Sequence, residues 1–453
     1  MLIKVKPNQV IVLSFVLASF IGAILLCLPV SISGAQPISF VDSLFTATSA
    51  VCVTGLIVKD IGTFFTTFGQ SIILVLIQLG GLGIMTFSTA FAILLGRRLT
   101  IKDTVIMQSA LDNERAETFR KILKHIVIIT VCIEAAGAAL LYMRWHLVSG
   151  WSKLHILYSS IFHSVAAFCN AGFSLYADNL CGFKSDLTIN LVITSLIILG
   201  GIGFIVLLEL PKFKFWRQDR IKYLSKISVQ TKLALTVTAV LIAAGMALIL
   251  LFEWDNTLKG MPLKDKLLCS YFHSVTPRTA GFNTLPVENF TSPTLLITTA
   301  LMFIGASPGS TGGGIKTVTL AVLIAAAIAM VKNRNRVTIF KKTVPRAIFR
   351  RAFMISLMAV AWVFIATIVL CIIEQPKYCS ADFALKNLFE VVSAFGTVGL
   401  SAALTPTLAP LSKIVIIITM WMGRVGPLTL AFAIATREEP PRYIYPEERI
   451  MVG

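Results

Sequence analysis

The chain has 453 residues, 56% hydrophobic and only 14% charged, with a mean hydropathy of +0.84. Soluble domains carry roughly a quarter charged residues, so this composition excludes a soluble enzyme or binding module and describes an integral membrane protein. The net charge of +18 raises nucleic acid as a partner, but the basic residues fall in short loops between apolar runs, which suits a membrane surface and excludes nucleic acid.

Apolar runs long enough to span a bilayer, roughly 20 residues, fall near 8–30, 70–95, 125–147, 188–210, 231–252, 294–331, 352–373 and 409–435. The first follows Lys4 and Lys6 and is longer than the apolar core of a signal peptide, so it reads as a membrane helix. The loop 96–124 carries seven Lys and Arg, 211–232 seven and 332–351 eight, whereas the stretches between them carry at most four. The positive-inside rule places these basic loops and both termini in the cytoplasm. The eight cysteines have no Cys-x-x-Cys spacing and the five histidines form no metal-like pair. No zinc site, disulfide framework or covalently bound cofactor is expected.

Between the two spans of each pair lies a half-length apolar segment that opens on phenylalanine and ends on glycine. Phe45 leads to Cys52, Val53, Thr54 and Gly55; Phe162 leads to Cys169, Asn170, Ala171 and Gly172. Phe272 leads to Arg278, Thr279, Ala280 and Gly281, and Phe389 to Gly396, Thr397, Val398 and Gly399. The glycines are 117, 109 and 118 residues apart, and Phe-His-Ser-Val stands at both 162–165 and 272–275. Such a period marks internal repetition. The third copy is one residue shorter between its phenylalanine and its glycine. The two histidines read as packing or capping residues.

The expected architecture is therefore an all-α integral membrane protein. Four parallel helix–pore loop–helix repeats surround one central pore with pseudo-four-fold symmetry. The repeats are 1–98, 99–212, 213–335 and 336–453, the last with a short cytoplasmic tail. Half-helices that dip in from outside would aim the negative ends of their dipoles at the axis, and the glycine loops would turn carbonyls inward to replace an ion's hydration shell. No acidic ring appears in the loops. Backbone oxygens as ligands point to a monovalent cation, K⁺ above Na⁺.

The sixth span is interrupted by Gly305, Pro308, Gly309, Ser310, Thr311, Gly312, Gly313 and Gly314 before Lys316. This run cannot continue a helix and lacks the glycine before lysine of a phosphate loop. It reads as a loop obstructing the pore below the filter. Milder clusters at Gly80–Gly83 and Gly200–Gly203 read as close helix packing through small residues. Lys316 and Arg424 stand inside apolar spans. Arg424 is expected to donate to carbonyls of the broken helix, while Lys316 either joins that gate or snorkels to the surface. Arg278 is expected to turn behind the filter and pair with an acid, with Glu390 as candidate. Glu134 is a second buried charge with no evident partner.

These features resemble the Ktr/Trk/HKT superfamily of K⁺ transporters over nearly the whole chain. The resemblance is carried by the four single-glycine loops, by Gly-Ser-Thr-Gly-Gly-Gly-Ile-Lys at 309–316 and by Met-Gly-Arg-Val-Gly-Pro-Leu at 422–428. The chain looks most like the membrane subunit of a bacterial Ktr system. The resemblance implies K⁺ uptake across the plasma membrane, a homodimer, a gating loop within the membrane and a cytosolic nucleotide-binding regulatory ring. The nucleotide would sit on that ring, and the basic loops and the tail at 446–453 would be its contacts. Glycine at position 55, where some plant members with Na⁺ transport have serine, favours K⁺. The alternative is a Na⁺-coupled or Na⁺-permeable secondary cation transporter with alternating access. Repeats that all start on the same side favour a single axial pore over the inverted repeats of such carriers. No cluster of acid, base or nucleophile suggests an enzyme.

Overall fold

The computed structural model describes residues 7–34, 37–83, 116–209, 227–334, 336–375, 382–427 and 429. Lys4, Lys6, Cys379, most of the basic loops 96–124 and 211–232, and the tail 446–453 lie outside the described residues. Four units of similar make-up follow one another. The first holds α1 (Pro7–Leu26), the half-helix α2 (Phe40–Val51), a single turn α3 (Ile61–Phe64) and α4 (Thr67–Gly81). The second holds α5 (Ala116–Val148), the half-helix α6 (Lys153–Cys169), α7 (Leu187–Gly201) and α8 (Phe204–Glu209). The third holds α9 (Val229–Glu253), the half-helix α10 (Leu263–Val275), α11 (Ser292–Phe303) and α12 (Thr317–Val331). The fourth holds α13 (Arg346–Glu374), the half-helix α14 (Phe383–Gly396) and α15 (Pro410–Val425). A two-residue hairpin turn at Phe340 and Lys341, both with positive φ, joins β1 (Thr338–Ile339) to β2 (Lys342–Thr343) between α12 and α13.

Among the described residues, three helices are individually long and apolar enough to cross a membrane: Leu123–Val148 within α5, then α9 and α13. The half-helices have 12, 17, 13 and 14 residues. At 1.5 Å per residue they are shorter than a hydrocarbon core of about 30 Å. Their phenylalanines Phe45, Phe162, Phe272 and Phe389 are completely buried in one continuous core. Backbone at membrane depth must be covered by protein or water, and these side chains supply that cover.

The second helix of each unit starts on a capping residue or on proline. Thr66, Asp186 and Thr291 accept first-turn N–H groups of α4, α7 and α11, and Pro410 occupies the first turn of α15. Each of these starts is stapled to the end of the unit's first helix by different chemistry. Glu253 at the end of α9 accepts the N–H and hydroxyl of Thr291, both at 2.9 Å. Glu374 at the end of α13 accepts the N–H of Ala409 at 2.7 Å. Arg144 in α5 donates to Asp186 at 2.8 Å, and Thr66 donates to the carbonyl of Val30, just past α1, at 2.7 Å.

The second spans do not run straight through. The expected span 188–210 breaks at Gly203 (φ +96°) into α7 and α8, and left-handed glycines also follow α4 at Gly83 (φ +82°) and α15 at Gly426 (φ +91°). The sixth span opens furthest, with irregular backbone between the end of α11 and the start of α12. The interruption read from sequence as peculiar to one span is thus the longest of four at one level. The physical reason is that a bend needs one residue with positive φ, which a single glycine supplies without visibly breaking an apolar run. Packing closes the units into a ring: α4 lies on α6, α7 on α10, α11 on α14 and α15 on α2.

Candidate functional site

The four loops that follow the half-helices meet at one point. A β-carbon built on Gly55 would lie 2.2 Å from the carbonyl oxygen of Ala171, and one on Gly172 would lie 2.7 Å from that of Ala280. One on Gly281 would lie 2.3 Å from the oxygen of Val398, and one on Gly399 2.2 Å from that of Thr54. Each glycine therefore abuts the carbonyl that precedes the next glycine, in the order first, second, third, fourth and back to first. All four have positive φ, from +65° at Gly172 to +94° at Gly399, so no side chain fits this ring on either ground.

Two residues before each glycine the backbone is left-handed again, at Val53, Asn170, Thr279 and Thr397. The third loop shares this conformation despite its missing residue. The deletion is absorbed upstream: the N–H groups of Thr54, Ala171 and Val398 reach back five residues to Ser49, Ala166 and Ser393, whereas that of Ala280 reaches back four to Thr276. The loops thus correspond from Arg278–Thr279 onward to the glycine.

Behind the ring, Ser49 and Ser393 accept the N–H groups of Gly55 and Gly399 through their hydroxyls at 3.0 and 3.1 Å. His163 faces the Ser174 hydroxyl at 3.0 Å and accepts the N–H of Leu175. His273 accepts the N–H groups of Thr284 and Leu285 at 3.3 and 3.1 Å. Both rings clamp the stretch of chain that leaves the glycine loop. Glu390 stands at the corresponding place in the fourth loop and does the same work. Its carboxylate accepts the N–H groups of Ala402 and Leu404 and the hydroxyls of Ser401 and Thr405.

The expected Arg278–Glu390 pair is therefore not formed. Glu390 is satisfied by four donors of its own loop and needs no counter-ion. Arg278 is buried and does turn behind the ring, where it donates to the hydroxyl of Thr238 on α9 at 2.9 Å. Glu134 accepts from Gln78 of α4 at 3.2 Å and faces the Cys169 thiol at 3.9 Å. The contributions of Ser49, Ser393 and Glu390 were missed from sequence. The one available signal was the polar residue that recurs nine residues before the glycine in the second and fourth loops, and eight before it in the shorter third (His163, His273, Glu390).

Beyond the glycines opens a cavity of about 490 Å³ lined by all four of them and by Asp60, Asp178 and Glu288, with no Lys or Arg in its wall. The sequence showed no acidic ring within the loops; the three carboxylates line the mouth, several residues further on. On the opposite side the run 305–316 lies directly under the ring. The Gly313 N–H donates to the Thr397 hydroxyl at 2.9 Å, the Thr311 hydroxyl to the Phe168 carbonyl at 3.3 Å, and Gly312 abuts the Thr279 hydroxyl. The Asn170 side chain also meets that Thr279 hydroxyl at 3.1 Å. Phe204 donates its N–H to the Gly309 carbonyl at 2.8 Å and Ser307 its N–H to the Gly201 carbonyl at 3.0 Å, which ties the run to the second unit. Gly305 receives its own cross-tie by donating to the Ile315 carbonyl at 2.8 Å. Pro308 and Ser310 lie in the same run, which Gly314 closes by donating to the Gly423 carbonyl at 3.3 Å.

Arg424, buried near the end of α15, donates to the carbonyls of Thr311 in this run and Gly80 in α4. Lys316 donates to the carbonyls of Gly312 and Gly313, so its amine folds back into the run and does not reach for the surface. The clusters at Gly80 and Gly200 pack closely, as expected, and Gly423 does the same, each against a specific target. A β-carbon on Gly80, Gly200 or Gly423 would come within 2.0, 1.9 or 1.8 Å of the carbonyls of Val51, Phe168 and Phe395, at or near the ends of the half-helices.

Comparison with known proteins agrees with this geometry. The sequence profile of the TrkH family, described as cation transport protein, matches residues 5–442. The chain is 40% identical over 453 residues to the Ktr system potassium uptake protein B of Bacillus subtilis, covering 100% of this chain and 98% of that protein. It is 37% identical over 457 residues to the potassium/sodium uptake protein NtpJ of Enterococcus hirae, covering 99% and 98%. The crystal structure of the potassium transporter TrkH from Vibrio parahaemolyticus has the same fold, with a TM-score of 0.73 over 96% of this chain and 86% of that one, at 18% identity. With its ring of re-entrant glycine loops and a family profile spanning almost its whole length, the chain belongs to the TrkH/Ktr family of membrane cation transport proteins.

Proposed function

We propose that the chain is the ion-conducting subunit of a K⁺ uptake system of the plasma membrane. The observation that carries this reading is the closed ring of four positive-φ glycines, each against the carbonyl that precedes the next. Carbonyls of residues 52–55, 169–172, 278–281 and 396–399, turned toward the axis of the ring, would coordinate K⁺ in place of water. Three carboxylates at the mouth, and no basic residue there, support a cation path by raising the local cation concentration. The run 305–316, held under the ring by Arg424, Thr397 and Phe168, acts as the gate.

The assembly proposed is a homodimer on a cytosolic nucleotide-binding regulatory subunit, with both termini of this chain cytoplasmic and repeats 1–98, 99–212, 213–335 and 336–453. The relatives named as uptake proteins of a Ktr system support the chain's working as one part of a larger system. A second reading, permeation of Na⁺ as well, is favoured by the relative named as a potassium/sodium uptake protein. Both are tested by ion flux into proteoliposomes holding the purified chain, with K⁺, Rb⁺ or Na⁺ as the only permeant cation, for wild type and Gly55→Ser. K⁺ and Rb⁺ flux well above Na⁺, with the preference reduced by the substitution, supports the carbonyl filter. Equal flux of all three in the wild type favours the second reading.

A further inference from the structure

At the far end of the interrupted span, away from the glycine ring, lies a second cavity, of about 920 Å³. It is bounded by the end of α12, the β1–β2 hairpin and the start of α13. Its wall carries four guanidinium groups, Arg334, Arg336, Arg346 and Arg350, and no carboxylate. No aspartate or glutamate occurs between Glu288 and Glu374, so the segment that forms this wall supplies no carboxylate of its own. All four arginines are exposed, and none has an ion-pair partner among the described residues. The N-terminus of α13 opens into the same space, with Pro345 as a cap that offers no side-chain acceptor. Its first-turn N–H groups add partial positive charge.

The rest of the wall is apolar. Met330 and Phe353 line the cavity and are 73% and 50% exposed, and the apolar surface runs on along α13 through Leu357, Val360 and Phe364. α13 is long and apolar enough to cross a membrane. A cluster of arginines fits phosphate through paired N–H donors. A phosphate with apolar chains attached fits both halves of this wall, whereas a free phosphate leaves the apolar half uncovered.

We infer that this cavity is a binding site for the headgroup of an anionic phospholipid, with the acyl chains laid along the exposed face of α13. The site lies at the end of the helix that begins directly after the run 305–316, so the lipid fixes the trailing end of the interrupted span.

The test is native mass spectrometry of the delipidated full-length chain titrated with phosphatidylglycerol, phosphatidylcholine or inorganic phosphate. The variants are Arg336→Gln/Arg346→Gln/Arg350→Gln and, as a control of like chemistry elsewhere, Lys124→Gln/Lys232→Gln. At about 1 kcal/mol per basic residue near an anionic headgroup, the triple variant is expected to lose phosphatidylglycerol affinity by roughly a hundredfold. The control variant and phosphatidylcholine binding are expected to be unchanged. A rise in unfolding temperature on adding phosphatidylglycerol, present in the wild type and absent in the triple variant, is the second readout, and it separates loss of the site from loss of the fold. Equal phosphatidylglycerol binding by wild type and triple variant overturns the proposal, as does displacement of the lipid by inorganic phosphate at equal concentration.

Discussion

Glycine is required in the ring for two separable reasons, and each has its own experiment. Gly281 has φ +77° and faces the Val398 carbonyl, whereas Gly150 has open space around it and no positive φ. Gly281→Ala is expected to abolish selective flux and Gly150→Ala to leave it intact; flux assays on the two variants side by side check this. Arg424 is a different case, because in the proposed gate it holds the run 305–316 in place through the Thr311 carbonyl and does not shape it. Two hydrogen bonds from a charged donor are worth about 1.5–3 kcal/mol each. Losing even one on Arg424→Ala shifts a closed–open balance at least roughly tenfold toward open. Raised resting flux is the expected result, and unchanged flux would remove Arg424 from the gate. Much at this scale was readable in the sequence, since Gly55, Gly172, Gly281 and Gly399 recur with phenylalanine lead-ins. The destination of Arg278 was not readable. Thr238, its acceptor, is 40 residues away on another helix, and threonine in an apolar span gives no sign that it faces a buried charge.

Among the elements, the chain leaving three of the four glycine loops is fastened back to the half-helix before it. His163, His273 and Glu390 do this from matching positions with different acceptor chemistry. Removing Glu390 strands two N–H groups and two hydroxyls, at about 1–3 kcal/mol for each buried donor left unsatisfied. Glu390→Ala is expected to lower the thermal unfolding temperature markedly. Glu390→His, which copies the other two loops, is expected to recover part of the loss. Equal destabilisation by both would show that the acceptor is not what matters. The sequence announced the half-helices through their length and the glycine after them. It concealed this clamp, because a buried glutamate in a pore helix invites a search for a basic partner, while its actual partners are ordinary backbone groups at 402 and 404. The bends at Gly83, Gly203 and Gly426 were hidden for a similar reason: a single left-handed residue leaves the hydropathy of a span unchanged.

For the whole molecule, the contact that closes the ring joins its two ends. Lys413 at the start of α15 donates to Asp42 at the start of α2 at 2.6 Å, with both side chains mostly shielded. Exposed ion pairs are worth about 0–1 kcal/mol. Shielding should bring this one to the upper end or above, so a double-mutant cycle with Asp42→Asn and Lys413→Met is expected to give a coupling of at least roughly 1 kcal/mol. Zero coupling would assign closure to apolar packing alone. That the four units share one axis followed from their common starting side. Which unit neighbours which was fixed only by the three-dimensional approach of each glycine to the next loop's carbonyl.

Asp42 meets a partner 371 residues later in the chain, and Gly55 likewise completes the ring against the last loop. At roughly 5–20 residues per second of synthesis, the first quarter of the pore waits in the bilayer for some tens of seconds before its final neighbour exists. During that interval the ring of four glycines is incomplete. The closing contacts of the ring, Asp42 with Lys413 and Gly55 with the fourth loop, are thus the last to form during synthesis.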